Sequence, residues 1–127
     1  MNVADSSAWI EFVNGGPNEV HFCPVIEDTA TLLVPSIVVY EVFKLILRNK
    51  GEKAAQRVAA AMRQGRAVAI DESLALSAAK LSLQYHLAMA DSLIYATALA
   101  HGATLWTQDE DFEHVPGVRH FAKACSV

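Results

Sequence analysis

Little in this sequence could build a disulfide framework or a zinc site. Its two cysteines, Cys23 and Cys125, belong to no Cys-x-x-Cys pair and are expected as core or surface thiols of a cytosolic protein. None of the five histidines stands at His-x-x-x-His spacing, so zinc chemistry has no foothold. No apolar run approaches the ~20 residues needed to span a bilayer. The N-terminus lacks a basic segment followed by an apolar stretch, so no signal peptide is expected. Positive charge is in deficit, with 10 Lys and Arg against 14 Asp and Glu and a net charge of −4. Such a chain has no general attraction for nucleic acid; a nucleic-acid partner must be held by local basic residues or by bound metal. Repeats, low-complexity tracts and linkers are also missing. With 53% hydrophobic and 19% charged residues over 127 positions, the chain is expected to fold as one globular domain, residues 1–127, with a real core.

What is present is an alternation of short strands and longer helices. Asn2 to Asp5 reads as a buried strand. Ser6 or Ser7 can cap a helix carrying Ala8, Trp9, Ile10 and Phe12, stopped at Asn14-Gly15-Gly16-Pro17. A helix over 18–28 precedes a second strand over 31–34, closed by Pro35. Ser36 can cap a long helix through Arg48, and Gly51 turns the chain into another over 52–64. A third strand is expected over 67–70. Glu72 to His86 places Leu74, Ala78, Leu81 and Tyr85 on one helical stripe. A helix from Asp91 to His101 stops at Gly102. Thr104–Thr107 and Val118–Phe121 supply the fourth and fifth strands. This order implies an α/β fold: a central parallel sheet of four to five short strands with helices on both faces, a three-layer sandwich.

Four carboxylates stand at the edges of apolar segments, where a charge is costly unless something binds it. Asp5 ends the first strand, Glu41 lies in Ile37-Val38-Val39-Tyr40-Glu41-Val42-Phe43, Asp91 precedes Leu93-Ile94-Tyr95-Ala96, and Asp109 follows Thr104-Leu105-Trp106-Thr107. In parallel sheets the binding crevice lies at the carboxyl ends of the strands, and all four acids can reach that rim. Clustered carboxylates repel one another and raise each other's pKa, a penalty that Mg²⁺ or Mn²⁺, which take oxygen ligands, would remove. Singly, each acid has an ordinary explanation. Asp5 can cap the first helix, Asp91 can meet a helix dipole, Glu41 can pair with Lys44, and Asp109 can be a solvated turn residue beside Asp111. The joint occurrence favours one metal-dependent site.

The chain resembles the PIN-domain family, specifically the VapC-type toxin ribonucleases of type II toxin–antitoxin pairs. The resemblance rests on Val3-Ala4-Asp5-Ser6-Ser7, Val34-Pro35-Ser36-Ile37-Val38-Val39-Tyr40-Glu41-Val42, Asp91-Ser92-Leu93-Ile94-Tyr95-Ala96-Thr97-Ala98 and Leu105-Trp106-Thr107-Gln108-Asp109-Glu110-Asp111-Phe112, in that order. It implies a Mg²⁺- or Mn²⁺-dependent endoribonuclease in which Asp5, Glu41, Asp91 and Asp109 match the catalytic, metal-binding acids. Thr107 matches a hydroxyl position beside that site and Ser6 a small polar position after the first acid. It also implies a homodimer, with Ile46 and Leu47 among the apolar residues of the flanking helices, and a cognate VapB-like antitoxin. One departure concerns the last motif. Many relatives carry a basic residue between its two acids, whereas Gln108 and Glu110 leave this loop acidic and either Asp109 or Asp111 able to serve as ligand.

Basic charge lies elsewhere: seven of the ten Lys and Arg fall between Lys44 and Arg66. Glu41, Lys44 and Arg48 stand at i, i+3 and i+7 on one helix face, which makes Lys44 and Arg48 candidate RNA phosphate contacts. Two other classes compete. A PIN-type module with weak catalysis could bind RNA or protein only, although the intact acid set argues against it. A phospho-acceptor receiver would need paired acids after strand one and an Asp ending strand three; Asp71 could mimic the latter, but Ser6-Ser7 follow Asp5. A haloacid-dehalogenase-type phosphatase fails for want of Asp-x-Asp there.

Overall fold

A computed structural model describes residues 1–124. The elements run β1 (Asn2–Ala4), α1 (Ser6–Asn14), α2 (Glu19–Glu27), β2 (Leu32–Pro35), α3 (Ser36–Lys50), α4 (Glu52–Met62), β3 (Arg66–Val68), α5 (Glu72–Tyr85), α6 (Met89–Ala100), β4 (Thr104–Thr107) and β5 (Val118–His120), with a 3₁₀ turn at Glu110–Phe112. The five strands form one sheet in the order β3-β2-β1-β4-β5, and every pairing is parallel.

The strand sequences show why. In a sheet covered on both faces the central strands read as near-continuous apolar runs. Val3 and Ala4 of β1 and all four residues of β2 are buried. Successive side chains along a strand point to opposite faces, so burial of neighbours means helices lie on both, giving the three-layer α/β sandwich. α2 packs on β1, α1 on β4, α3 on β2, and α6 on β1 and β4. Trp9, Phe22, Tyr95 and Phe112 are the largest fully buried side chains of the common core, and a smaller cluster of Leu74, Ala78 and Ala96 joins α5 to α6. No helix among the described residues is long and apolar enough to cross a membrane.

Several local expectations change. Asp5, rather than Ser6 or Ser7, caps α1, its side chain accepting from the Ala8 amide. Pro35 occupies the N-cap of α3 without a side-chain bond, and Ser36 is the first helical residue; proline's fixed φ already presets the turn. β3 runs one residue earlier than expected and is shorter, because its pairing with Leu33–Pro35 sets its register and its residues are mostly exposed. Asp71 is the N-cap of α5, accepting from the Leu74 amide at 2.8 Å, so it is not a rim acid after β3. That assignment and the strand order set the receiver reading aside, since receivers run 2-1-3-4-5. Ile46 is 2% exposed and belongs to the core, whereas Leu47 is at the surface. Cys23 is a half-buried free thiol on α2; Cys125 lies outside the described residues.

From β1 the chain moves outward through β2 to β3, then returns to the other side of β1 to form β4 and β5. The order therefore reverses between β1 and β4. Loops leaving the carboxyl ends of two strands that diverge in this way open a crevice, where ligands bind in such sheets. Asp5 follows β1 and Asp109 follows β4, one on each side of that crevice.

Candidate active site

Asp5 is the anchor. β1 passes into α1 with Asp5 as the single residue between them. Its side chain is 2% exposed. Oδ1 accepts from the Ala8 amide at 2.9 Å and from Ser7 Oγ at 2.7 Å. Oδ2 accepts from Thr107 Oγ1 at 2.5 Å. Both hydroxyls are held in turn by the β4 loop: the Gln108 amide donates to Ser7 Oγ at 3.2 Å and the Asp109 amide to Thr107 Oγ1 at 2.9 Å. A carboxylate offers about four acceptor sites. Three are taken, and one remains for a ligand. Burial pushes the Asp5 pKa up to about 6, against the lowering effect of the bonds from Thr107, Ser7 and Ala8.

Asp91 is the third residue of α6, whose N-cap, Ala88, makes no side-chain bond. Exposed helix amides there favour an anion, yet the opposite shift wins. Burial first, then the charges of Asp109, Asp5, Glu41 and Asp111, push Asp91 up to about 7. A carboxyl that senses four others is the electrostatic signature of one shared site.

The remaining acids close the ring. Asp109 caps the 3₁₀ turn, Oδ1 accepting from the Asp111 amide at 3.0 Å. That turn brings Asp111 round, so that one oxygen each from Asp91, Asp109 and Asp111 lie within 4.8 Å of one another. Glu41, in the second turn of α3, is held by Ser6 Oγ, which donates to its Oε1 at 2.6 Å. The structure thus gathers Asp5, Glu41, Asp91 and Asp109 at one rim with Ser6 and Thr107 beside them, and adds Asp111. All-oxygen donors at these separations suit a hard divalent cation, which would cancel the repulsion that lifts Asp91.

Ser7 and Gln108 are the participants the sequence did not single out. Ser7 stands two residues after an N-cap aspartate, close enough to reach it. Gln108 turns inward: it is buried, and its Oε1 accepts from Asn18 Nδ2 at 3.0 Å. Farther along α3, Lys44 and Arg48 line one depression of about 230 Å³ with Glu41, Tyr40 and Leu45. Lys44 Nζ donates to Tyr40 Oη at 3.4 Å rather than to Glu41, and Arg48 Nε donates to Asn49 Oδ1 at 3.3 Å.

The raised carboxyl groups fix the sign of a pH effect. Between their ordinary value of 3.8 and their folded values of about 6 and 7, Asp5 and Asp91 hold more protons in the folded than in the unfolded state, so stability falls as pH rises through that window. In EDTA, the melting temperature should therefore drop between pH 5 and pH 8. Asp91→Asn should flatten the drop and melt above the wild type at pH 8. Parallel melting curves for the two proteins would contradict the repulsion.

By comparison with known proteins, the sequence matches the PIN domain family over residues 3–118. None of the curated proteins matches it. Among solved structures, the fold is similar to a toxin–antitoxin complex from Klebsiella pneumoniae, with a TM-score of 0.76, 24% identity, and 94% of this chain and 96% of that chain covered. It is similar to VapC20 of Mycobacterium tuberculosis, a sarcin–ricin-loop-cleaving toxin, with a TM-score of 0.78, 19% identity, and 93% and 97% covered. DNA-bound VapBC from Salmonella typhimurium gives a TM-score of 0.77 at 17% identity, with 96% and 98% covered. With a five-stranded parallel sheet in their mould and a family match along almost its whole length, the chain belongs to the PIN-domain family.

Proposed function

We propose that the chain is a Mg²⁺- or Mn²⁺-dependent endoribonuclease, the cytoplasmic toxin of a VapBC-type toxin–antitoxin pair. The observation that carries this reading is the convergence of Asp91, Asp109 and Asp111 within ligand distance of one another, flanked by Asp5 and Glu41 at the crevice between β1 and β4. Asp5, Glu41, Asp91 and Asp109 are the proposed metal-holding, catalytic residues, and Asp111 supplements Asp109. A bound divalent ion would supply an activated water and neutralise charge building on a phosphodiester.

The chain's own groups do the rest. Thr107 and Ser7 fix the Asp5 carboxylate in one orientation, and Ser6 does the same for Glu41. Asp91, whose pKa is pushed up to about 7 in the bare site, would ionise fully beside a bound cation. Lys44 and Arg48 receive RNA phosphates along α3. VapC20, a toxin of the same fold that cleaves the sarcin–ricin loop, supports a structured RNA as substrate class. A PIN-type module that only binds RNA or protein is the alternative, and the complete set of acids disfavours it.

Partners follow from the same reading. Toxin–antitoxin complexes among the structural neighbours support a VapB-like antitoxin. A homodimer finds support in the apolar surface of α5 and α6, where Leu76 is 60%, Leu83 82% and Met89 74% exposed. The first two lie one heptad apart on a single helix face. Ile46 offers no such support, being in the core.

Purified protein incubated with structured RNAs should cleave in Mg²⁺ or Mn²⁺ and not in EDTA, and Asp91→Asn should be inactive while melting at least as high as wild type. Added cation should raise the melting temperature, by about 2.7 kcal/mol of stability at a hundred-fold excess over its dissociation constant. The rise should shrink in Asp5→Asn and Asp91→Asn. Near-wild-type turnover by Asp91→Asn, or an equal cation shift in all three proteins, would refute this assignment. Sedimentation should show a dimer whose activity a co-expressed neighbouring reading frame suppresses; monomer at high micromolar concentration, or a neighbour that neither binds nor inhibits, would remove the corresponding partner.

A further inference from the structure

Three depressions meet along the carboxyl-end rim. The first, about 430 Å³, lies on the Asp109, Asp111 and His120 side. The second, about 390 Å³, lies over Ser6, Ser7 and Glu41. The third is the Lys44 and Arg48 depression, which shares Glu41 and Leu45 with the second. The first and second share two residues, Gln108 and Lys123. Gln108 is buried and its amide oxygen is occupied by Asn18. Lys123 is therefore the exposed side chain common to both and, among the described residues, the single Lys or Arg lining either.

Its position is built. The chain leaving β5 is tied to the rim by the Phe121 amide, which donates to the Thr107 carbonyl at 3.0 Å. Asn18 Nδ2 donates to the Ala122 carbonyl at 2.9 Å. The Phe121 ring stacks nearly parallel with both His21 and Trp106, with centroids at 4.1 and 6.0 Å. Lys123, which follows Ala122, is thus delivered beside a loop that contributes four acids, Asp109, Glu110, Asp111 and Glu113, to the first depression. That loop's charge repels a polyanion; alongside the proposed metal ion, Lys123 is the side chain placed to offset it.

We propose that Lys123 is a substrate-binding residue that contacts the RNA backbone where the first depression meets the second, while Lys44 and Arg48 contact it in the third. RNA then runs through all three depressions, past the carboxylates, with one basic contact at the first junction and two in the third depression. This rests on the ribonuclease reading and adds the path of the substrate to it.

The test uses the full chain with Asp91→Asn as a non-cleaving parent and a fluorescein-labelled, mixed-sequence single-stranded RNA 20-mer in Mg²⁺. Anisotropy gives the dissociation constant over a series of NaCl concentrations. Lys123→Ala should weaken binding several-fold and flatten the salt slope by roughly 0.7 for one lost phosphate contact on a single strand. Lys123→Arg should restore both. Adding Arg48→Ala should flatten the slope by a further, similar step, because the contacts are separate. If instead Lys123 only screens the acidic loop or meets the antitoxin, Lys123→Ala keeps the parental RNA slope, and the proposal is overturned even where the wild-type protein cleaves RNA. If the wild type cleaves no RNA and the parent binds none, the ribonuclease reading falls and takes this one with it.

Discussion

Everything at the rim hangs on the hydrogen bonds that converge on Asp5. Two loop amides, of Gln108 and Asp109, polarise two hydroxyls, of Ser7 and Thr107, and both hydroxyls donate to one buried carboxylate. This relay staples β1 and α1 to the loop after β4, the two sides of the crevice where strand order reverses. It also decides how Asp5 can act. Three bonds to the ionised form offset much of the desolvation cost, so burial pushes the Asp5 pKa no higher than about 6 although the residue is only 2% exposed.

Asp91 has no such compensation. Its burial is less complete, yet burial first, and then the charges of four neighbouring acids with no donor bonds to offset them, push it higher, to about 7. The two carboxyls divide the work between them. Asp5 is pre-organised by the fold and held still, while Asp91 carries the electrostatic strain that a cation would relieve. The protein gives up stability at neutral pH to keep these charges together. Such a cost is expected at functional sites, where local rules of stability are broken for chemistry.

Much of this was legible in the chain because its punctuation is strong. Asn14-Gly15-Gly16-Pro17, Pro35, Gly51 and Gly102 separate the elements, and the structure breaks at each of them. The alternation of short strands with helices announced a parallel sheet covered on both faces. The acids that share the rim stood out as charges at the margins of apolar runs. What stayed hidden depends on contacts between distant residues. No local rule distinguishes Ser7 from Ser6 as the partner of Asp5, since the choice is made by Gln108, 101 positions away. Gln108 read as part of an exposed acidic loop, but Asn18 draws it inside. Asp111, in the sequence an alternative to Asp109, instead stands together with it beside Asp91, because a 3₁₀ turn capped by Asp109 redirects the chain. Ile46 looked available for self-association, but the packing of α3 places it in the core. Lys123, isolated in sequence from every other basic residue of the groove, gains its meaning from the anchoring of Phe121 and Ala122.

The central claim is that these acids form one electrostatic unit waiting for a divalent cation. Carboxyl-carbon NMR of selectively labelled aspartate measures it directly. In EDTA the Asp91 resonance should titrate near pH 7, and in saturating Mg²⁺ its titration should move down by several pH units, since a bound cation favours the ionised form. An Asp91 that titrates near the ordinary aspartate value of 3.8 without metal, or whose midpoint is unmoved by Mg²⁺, would contradict the account.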